Sequence, residues 1–186
     1  MQHYSNFKKI FRFPFLKEGN TLDKRDEFRR FLREHGYLNG SVTIDASDWY
    51  ISSRLEKRLS QNPNADITPY RDYYLQHIWS RAQYYDGVVK EVLGRSPDHT
   101  LLLHHNLLNA LFLGDIIQMF KDKEWKVINA DKAFQDPIFK MMPNTLPAGE
   151  SLIWALAKQT GYYDKKLRYP GEDESYEKES MDKLGL

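Results

Sequence analysis

The sequence predicts an α/β protein built around a parallel sheet. Four β-prone segments alternate with three helical segments along the first 130 residues, an order typical of parallel strands joined by helical crossovers. The third β-prone segment, TLLLHH at 100–105, is a nearly continuous apolar run, which favours a strand buried on both faces. With 186 residues, the chain is long enough for one domain with its own core.

The first unit of this pattern is strand, helix, strand. FKKIFRFPF at 7–15 is the first predicted strand, and GSVTIDAS at 40–47 is the second. Between them, Asn20 or Thr21 can cap a helix that Gly36 ends. Its apolar spacing predicts one buried face, formed by Leu22, Phe28, Phe31 and Leu32.

The second unit begins with a long helical pattern from about Tyr70 to Leu93. Its apolar residues recur at spacings of three and four, namely Tyr74, Ile78, Ala82, Tyr85 and Val89. The strand at 100–105 follows, then a helix at 107–123, and then a predicted fourth strand, WKVINA at 125–130.

The alternation lapses beyond Asp136. We therefore expect residues 1–139 to form the α/β portion and residues 140–186 to form an irregular C-terminal extension. That extension contains one short helix, AGESLIWALAKQTG at 148–161. It ends in a polar, acidic tail at 169–186 that we expect to lie on the surface or to be partly disordered.

Composition excludes several classes of partner. The net charge is +1, and no run of Lys and Arg is interleaved with aromatic residues, which argues against nucleic acid. No window approaches the roughly 20 apolar residues that a membrane helix needs. No signal peptide is recognised, and the absence of cysteine excludes disulfides and thiolate metal sites while leaving the cellular compartment open.

Polar side chains gather where the predicted strands end. The first strand ends in Arg12 and Pro14, and the third ends in His104, His105 and Asn106. The second strand ends in DASDW, which contributes Asp45, Asp48 and Trp49. Each residue alone has a simpler explanation, such as a helix cap, a surface cation or a core imidazole. Together, at the edge where parallel folds carry their chemistry, they predict an acid, a carboxylate, a cation and an apolar wall.

The order of three motifs, FRFP, DASDW and LLLHHN, resembles the last three motifs of the polysaccharide deacetylases, carbohydrate esterase family four. The resemblance covers about Phe7 to Phe139. It implies a (β/α) barrel hydrolase that removes acetyl groups from an acetylated sugar or polysaccharide, of which this chain would be the C-terminal part. We therefore expect a parallel-stranded partial barrel.

The resemblance also implies roles for individual residues. His104 would protonate the leaving amine, Asp48 would tune that histidine, and Arg12 would orient a catalytic aspartate. The substrate side of the pocket would be formed by Trp49, Leu102, Pro14 and Phe15.

The first two motifs of the family are not found in this sequence. They carry the catalytic base and the metal-ligand aspartate and histidines, so a divalent metal, zinc, is expected in a full-length parent but not in this chain. The chain would therefore be inactive alone and would need a missing N-terminal half. Its open sheet edges would favour self-association.

Two alternatives remain open. The chain could be a non-catalytic carbohydrate-binding remnant, or an α/β module with no small-molecule role, and the latter predicts no clustering of Arg12, Asp48 and His104. A metal site made by His104 with His105 is disfavoured, because adjacent side chains on a strand point to opposite faces.

Overall fold

A computed structural model describes residues 7–161 and 167–186 and shows a mixed α/β chain in which helices dominate. The two strands are β1 (Ile10–Phe11) and β2 (Leu38–Asn39). The helices are α1 (Leu22–Glu34), α2 (Asp48–Gln61), α3 (Thr68–Leu93), α4 (Leu107–Asp122), α5 (Ala130–Ala133), α6 (Leu152–Gln159) and α7 (Glu174–Leu184), with 3₁₀ turns at Pro14–Leu16 and Pro137–Lys140. No helix in the described ranges is long and apolar enough to cross a membrane.

The strands are parallel, as predicted, but far shorter. Strand β1 pairs with β2, with Ile10 opposite Leu38, and a parallel bridge joins Ile44 to Leu101. The predicted strand at 7–15 is reduced to β1, whose partner β2 lies just before the predicted strand at 40–47. The predicted strands at 40–47 and 100–105 meet only at the bridge between Ile44 and Leu101. In the part of the chain that is described, no barrel of parallel strands is formed.

Competing hydrogen bonds explain the short ladders. The carbonyl oxygens of Val42 and Thr43 accept from the backbone of Leu152 and the hydroxyl of Ser151, at 2.7 and 2.8 Å. The N-terminal end of α6 thus occupies backbone groups that would otherwise bond to a neighbouring strand.

The prediction of a fourth strand at 125–130 is wrong, because the structure has no strand there. Its first residue, Trp125, packs against Trp79 and Phe120, and its backbone N–H bonds to the carbonyl of Phe120. Packing against α3 and α4 therefore holds the start of this segment in place of sheet pairing.

Helix α1 is confirmed, but its predicted buried face is wrong. Thr21 caps the helix by accepting the N–H of Lys24, and Leu32 is buried, whereas Leu22, Phe28 and Phe31 are at least one-third exposed. Arg29 is buried instead, because Glu18 and the carbonyl of Pro143 satisfy its guanidinium at 2.6 and 2.9 Å.

The core lies between the long helices. Helix α3 is confirmed, and all five of its predicted apolar positions are buried. Helix α4 is also confirmed, whereas α2 was not predicted, although Ile51 and Leu55 are completely buried in it.

The short helix predicted at 148–161 is confirmed as α6, but the expectation of an irregular, surface-lying tail is wrong. The tail forms the regular helix α7, and Ile153 of α6 and Met181 of α7 belong to the same core as α3. Arg54 of α2 bonds to Asp182 at 2.7 Å and also to the carbonyl of Leu186, which fixes the tail against α2.

Candidate active site

The central feature of the candidate site is a contact between an aspartate and a histidine. Asp48, the first residue of α2, is completely buried, and its Oδ1 atom lies 2.7 Å from Nδ1 of His104. Its other oxygen, Oδ2, accepts from the backbone N–H of His104 at 2.9 Å. Residues 56 positions apart in the sequence are therefore joined by two hydrogen bonds.

Two asparagines complete the shell around this carboxylate. The side-chain amides of Asn106 and Asn109 donate to Asp48 Oδ2, at 3.1 and 2.8 Å. Asn106 also caps α4 by accepting the N–H of Asn109 at 2.9 Å. The loop that starts α4 therefore supplies both the histidine and the amide donors, which satisfy an otherwise costly buried charge.

The pair sets the protonation of the histidine. The hydrogen bond to Asp48 raises the pKa of His104 above its ordinary value, and partial burial opposes this effect only in part. Since Nδ1 is engaged by Asp48, Nε2 is the nitrogen left for a ligand, on a side chain that is 46% exposed. This arrangement can donate a proton near neutral pH.

A second aspartate lies close enough to interact with the histidine. Asp45 is buried, and burial, followed by the charge of Glu172, raises its pKa to about 7. The N–H of Ala46 donates to it at 2.9 Å. Its charge acts favourably on both His104 and Arg12.

Arg12 is within range of the charge of this aspartate. Its Nε atom donates to the carbonyl of Gly40 at 2.9 Å, and partial desolvation lowers the pKa of its guanidinium while Asp45 opposes that effect, although the residue as a whole is exposed. Arg12 and His104 are therefore both influenced by Asp45, whereas no hydrogen bond among the described residues joins Arg12 to Asp48 or His104.

The predicted pocket walls are placed unequally. Trp49 is 38% exposed beside Asp48, and Leu102 is half-buried and hydrogen-bonded through its N–H to Ile44. Pro14 is exposed, and Phe15, with a φ of 54°, is 92% exposed and buries almost nothing. The 3₁₀ turn thus directs Phe15 to solvent.

Sequence reasoning missed two members of the site. The sequence predicts Asn109 and Tyr74 only as residues of two helices, whereas the Tyr74 hydroxyl donates to Asn109 Oδ1 at 2.6 Å. The spacing of Asn106 and Asn109 at the start of a helix is a signal for a cap. No sequence pattern links Tyr74 to Asp48, because only the packing of α3 against α4 brings them together.

A groove of about 860 Å³ lies between α1 and the segment 147–150. Phe28, Phe31 and Tyr169 line it, together with charged side chains of both signs. Neither Asp48 nor His104 lines it, so the groove is separate from their contact.

One buried cluster has the composition of a metal site. His77, Glu172 and Glu177 offer ligand atoms that lie within 4.8 Å of one another. However, His77 Nε2 accepts the backbone N–H of Ser47 at 3.0 Å, so the ring proton resides on Nδ1, which faces Glu177 at 3.3 Å. Both ring nitrogens of His77 are therefore engaged by protein groups, and the cluster forms a buried hydrogen-bonded network.

Comparison with known proteins found no match to this chain among family models, curated proteins or solved structures.

Proposed function

We propose that this chain supplies the acid side of a polysaccharide deacetylase-type active site, acting on an acetylated sugar or polysaccharide, and that its parallel strands belong to a (β/α) barrel. The observation that carries the proposal is the 2.7 Å contact between His104 Nδ1 and Asp48 Oδ1. The resemblance of the DASDW and LLLHHN motifs implies this same pair.

In this proposal His104 is the general acid. Asp48 fixes the tautomer by accepting the Nδ1 proton, which leaves Nε2 to protonate the leaving amine as the C–N bond of the acetamide breaks. The raised pKa of His104 keeps that proton available at neutral pH.

The adjacent apolar residues would recognise the acetyl group. Trp49 follows Asp48 directly and keeps 38% of its surface exposed, and Leu102 precedes His104 by two residues. Both therefore lie in the backbone segments that hold the acid pair, where the acetyl methyl must be bound if His104 is to reach the leaving nitrogen.

The catalytic base and the metal ligands of the family have no counterpart in the motifs of this sequence. We therefore expect acetate release only when a segment carrying those groups is supplied, in the same chain or as a second polypeptide.

Recognition of the acetyl group can be tested on this chain. Calorimetric titration with an N-acetylated chito-oligosaccharide and with its deacetylated counterpart should show tighter binding of the acetylated form. Trp49→Ala should weaken that binding, whereas Phe31→Ala, which truncates another exposed aromatic side chain, should not.

The same titrations separate the alternatives. Binding that depends on Trp49, together with acetate release when zinc and a segment carrying the catalytic base and metal ligands are added, supports the deacetylase. Binding without acetate release under those conditions favours the carbohydrate-binding remnant. Equal affinity for both sugars, or none, rejects the acetyl pocket.

A further inference from the structure

A buried hydrogen-bond chain runs from the candidate site into the helical core. Tyr74 donates to Oδ1 of Asn109 at 2.6 Å, and Nδ2 of Asn109 donates to Asp48 Oδ2 at 2.8 Å. Tyr74 and Asp48 are completely buried, and Asn109 is 8% exposed. The chain therefore lies almost entirely away from solvent.

The chemistry of Asp48 fixes the direction of this chain. An ionised carboxylate only accepts hydrogen bonds, so the amide of Asn109 must present its NH₂ group to Asp48. The amide oxygen of Asn109, Oδ1, then faces α3 and needs a hydrogen-bond donor there. The Tyr74 hydroxyl fills that role, and burial, followed by the charge of Asp48, raises the pKa of Tyr74, so the hydroxyl keeps its proton.

Asn109 also ties the carboxylate to the histidine backbone. The same Nδ2 atom lies 2.9 Å from the carbonyl oxygen of His104. One amide group thus bonds to Asp48 on one side and to the residue that bears the imidazole on the other, so its orientation sets the distance between them.

We infer that Asn109, oriented by the Tyr74 hydroxyl, is a positioning residue for the Asp48–His104 pair. This inference rests on the proposed function for its catalytic meaning, whereas its structural content concerns only the proton on His104. Without the amide, Asp48 Oδ2 keeps its bonds to the His104 N–H and to Asn106 but loses the shortest of its three donors, the one that fixes the carboxylate with Oδ1 toward the imidazole.

The sign of the expected effect distinguishes positioning from simple loss of a donor. Loss of a donor alone leaves the Asp48 carboxylate a stronger hydrogen-bond acceptor for the imidazole and would raise the pKa of His104. Loss of alignment weakens the His104–Asp48 hydrogen bond, which is the main cause of the raised pKa, and would lower it. We expect the pKa of His104 to fall.

The test is an NMR titration of the histidine ring signals in the protein without substrate, with His104 assigned from the His104→Gln variant. Asn109→Ala should lower the pKa of His104 toward the ordinary value of about 6.5. Tyr74→Phe, which removes only the hydroxyl, should lower it by a smaller amount. In the Asn109→Ala background, Tyr74→Phe should add nothing, because its effect passes through the amide.

Tyr70→Phe is the matched control. Tyr70 is a buried tyrosine on the same helix, and it lies beside Arg54 and Leu186, away from Asn109. It should change stability without moving the pKa of His104. An unchanged or raised pKa in Asn109→Ala, or equal effects of Tyr74→Phe in both backgrounds, would overturn the inference. Because no substrate is present, these outcomes are independent of whether the protein releases acetate.

Discussion

His104 Nδ1 lies 2.7 Å from Asp48 Oδ1, and the same carboxylate also accepts the backbone N–H of His104 at 2.9 Å. These two bonds hold a half-exposed imidazole on a completely buried charge. The pair therefore combines access to a ligand with strong electrostatic control of the imidazole proton.

Asp48→Asn should lower the pKa of His104. The variant removes the negative charge and the strong acceptor that favour the imidazolium, so the pKa should fall to or below about 6.5. Histidine NMR titration measures this directly. Asp86→Asn is the control, since Asp86 lies 3.2 Å from a different imidazole, that of His99, and should leave His104 unchanged. A pKa of His104 that stays raised in Asp48→Asn contradicts the proposed coupling.

Removal of the acid should slow deacetylation when the base and metal ligands are supplied. His104→Ala should reduce the rate on the order of 10²-fold or more, with a smaller change in substrate binding. His105→Ala, at the exposed neighbouring position, should have little effect. Acetate release from an acetylated oligosaccharide is the assay. If His104→Ala retains a rate within a few-fold of the parent, His105 becomes the next candidate.

The same assay gives a pH-dependent test of Asp48. A general acid must be protonated, so activity is lost as the pH rises through the pKa of His104. Asp48→Asn lowers that pKa, and the alkaline limb of the pH–rate profile should therefore move to lower pH. An unmoved limb would show that another group sets it.

Asp45 should make stability depend on pH. Its folded-state pKa is about 7, above the ordinary 3.8, so the folded protein retains a proton that the unfolded chain releases. This contribution is fully present below about pH 4 and is lost as the pH rises toward about 7, at about 1.4 kcal/mol for each pKa unit of difference.

Asp45→Asn cannot ionise and should remove this dependence. Urea unfolding at several pH values should show the variant gaining stability relative to the parent between about pH 4 and pH 7. Asp131→Asn, at an exposed position, is the control. Parallel curves for the parent and Asp45→Asn would contradict the raised pKa.

The C-terminal helix should contribute to global stability. Met181 in α7 is completely buried in the main core, so Met181→Ala should cost about 2–5 kcal/mol. Leu184→Ala, which truncates a side chain of the same helix that is 64% exposed, should cost much less. Chemical denaturation of the two variants provides the comparison. Equal stabilities would place α7 outside the cooperative core.

The sequence by itself determined helices α1, α3, α4 and α6, and the local order of the site motifs. Caps and apolar spacing located α1, α3 and α4, because these signals act within a few residues of one another. The alternation also indicated parallel pairing, which the contacts of β1 with β2 and of Ile44 with Leu101 show.

Only the tertiary structure decided how far the strands extend and what surrounds Asp48. Strand length depends on which backbone groups find partners, and the start of α6 takes those of Val42 and Thr43. Composition alone predicts a polar, surface-lying tail at 169–186. In the structure this segment is packed against the core because Met181 and Leu186 are buried.

The hydrogen bonds that support the Asp48–His104 pair are the clearest example of a feature that only the tertiary structure decided. Tyr74 and Asn109 lie 35 residues apart, and their hydrogen bond exists only because α3 packs on α4. Sequence patterns report a residue's own helix face, whereas a bond across two helices depends on their relative position, which the whole core fixes.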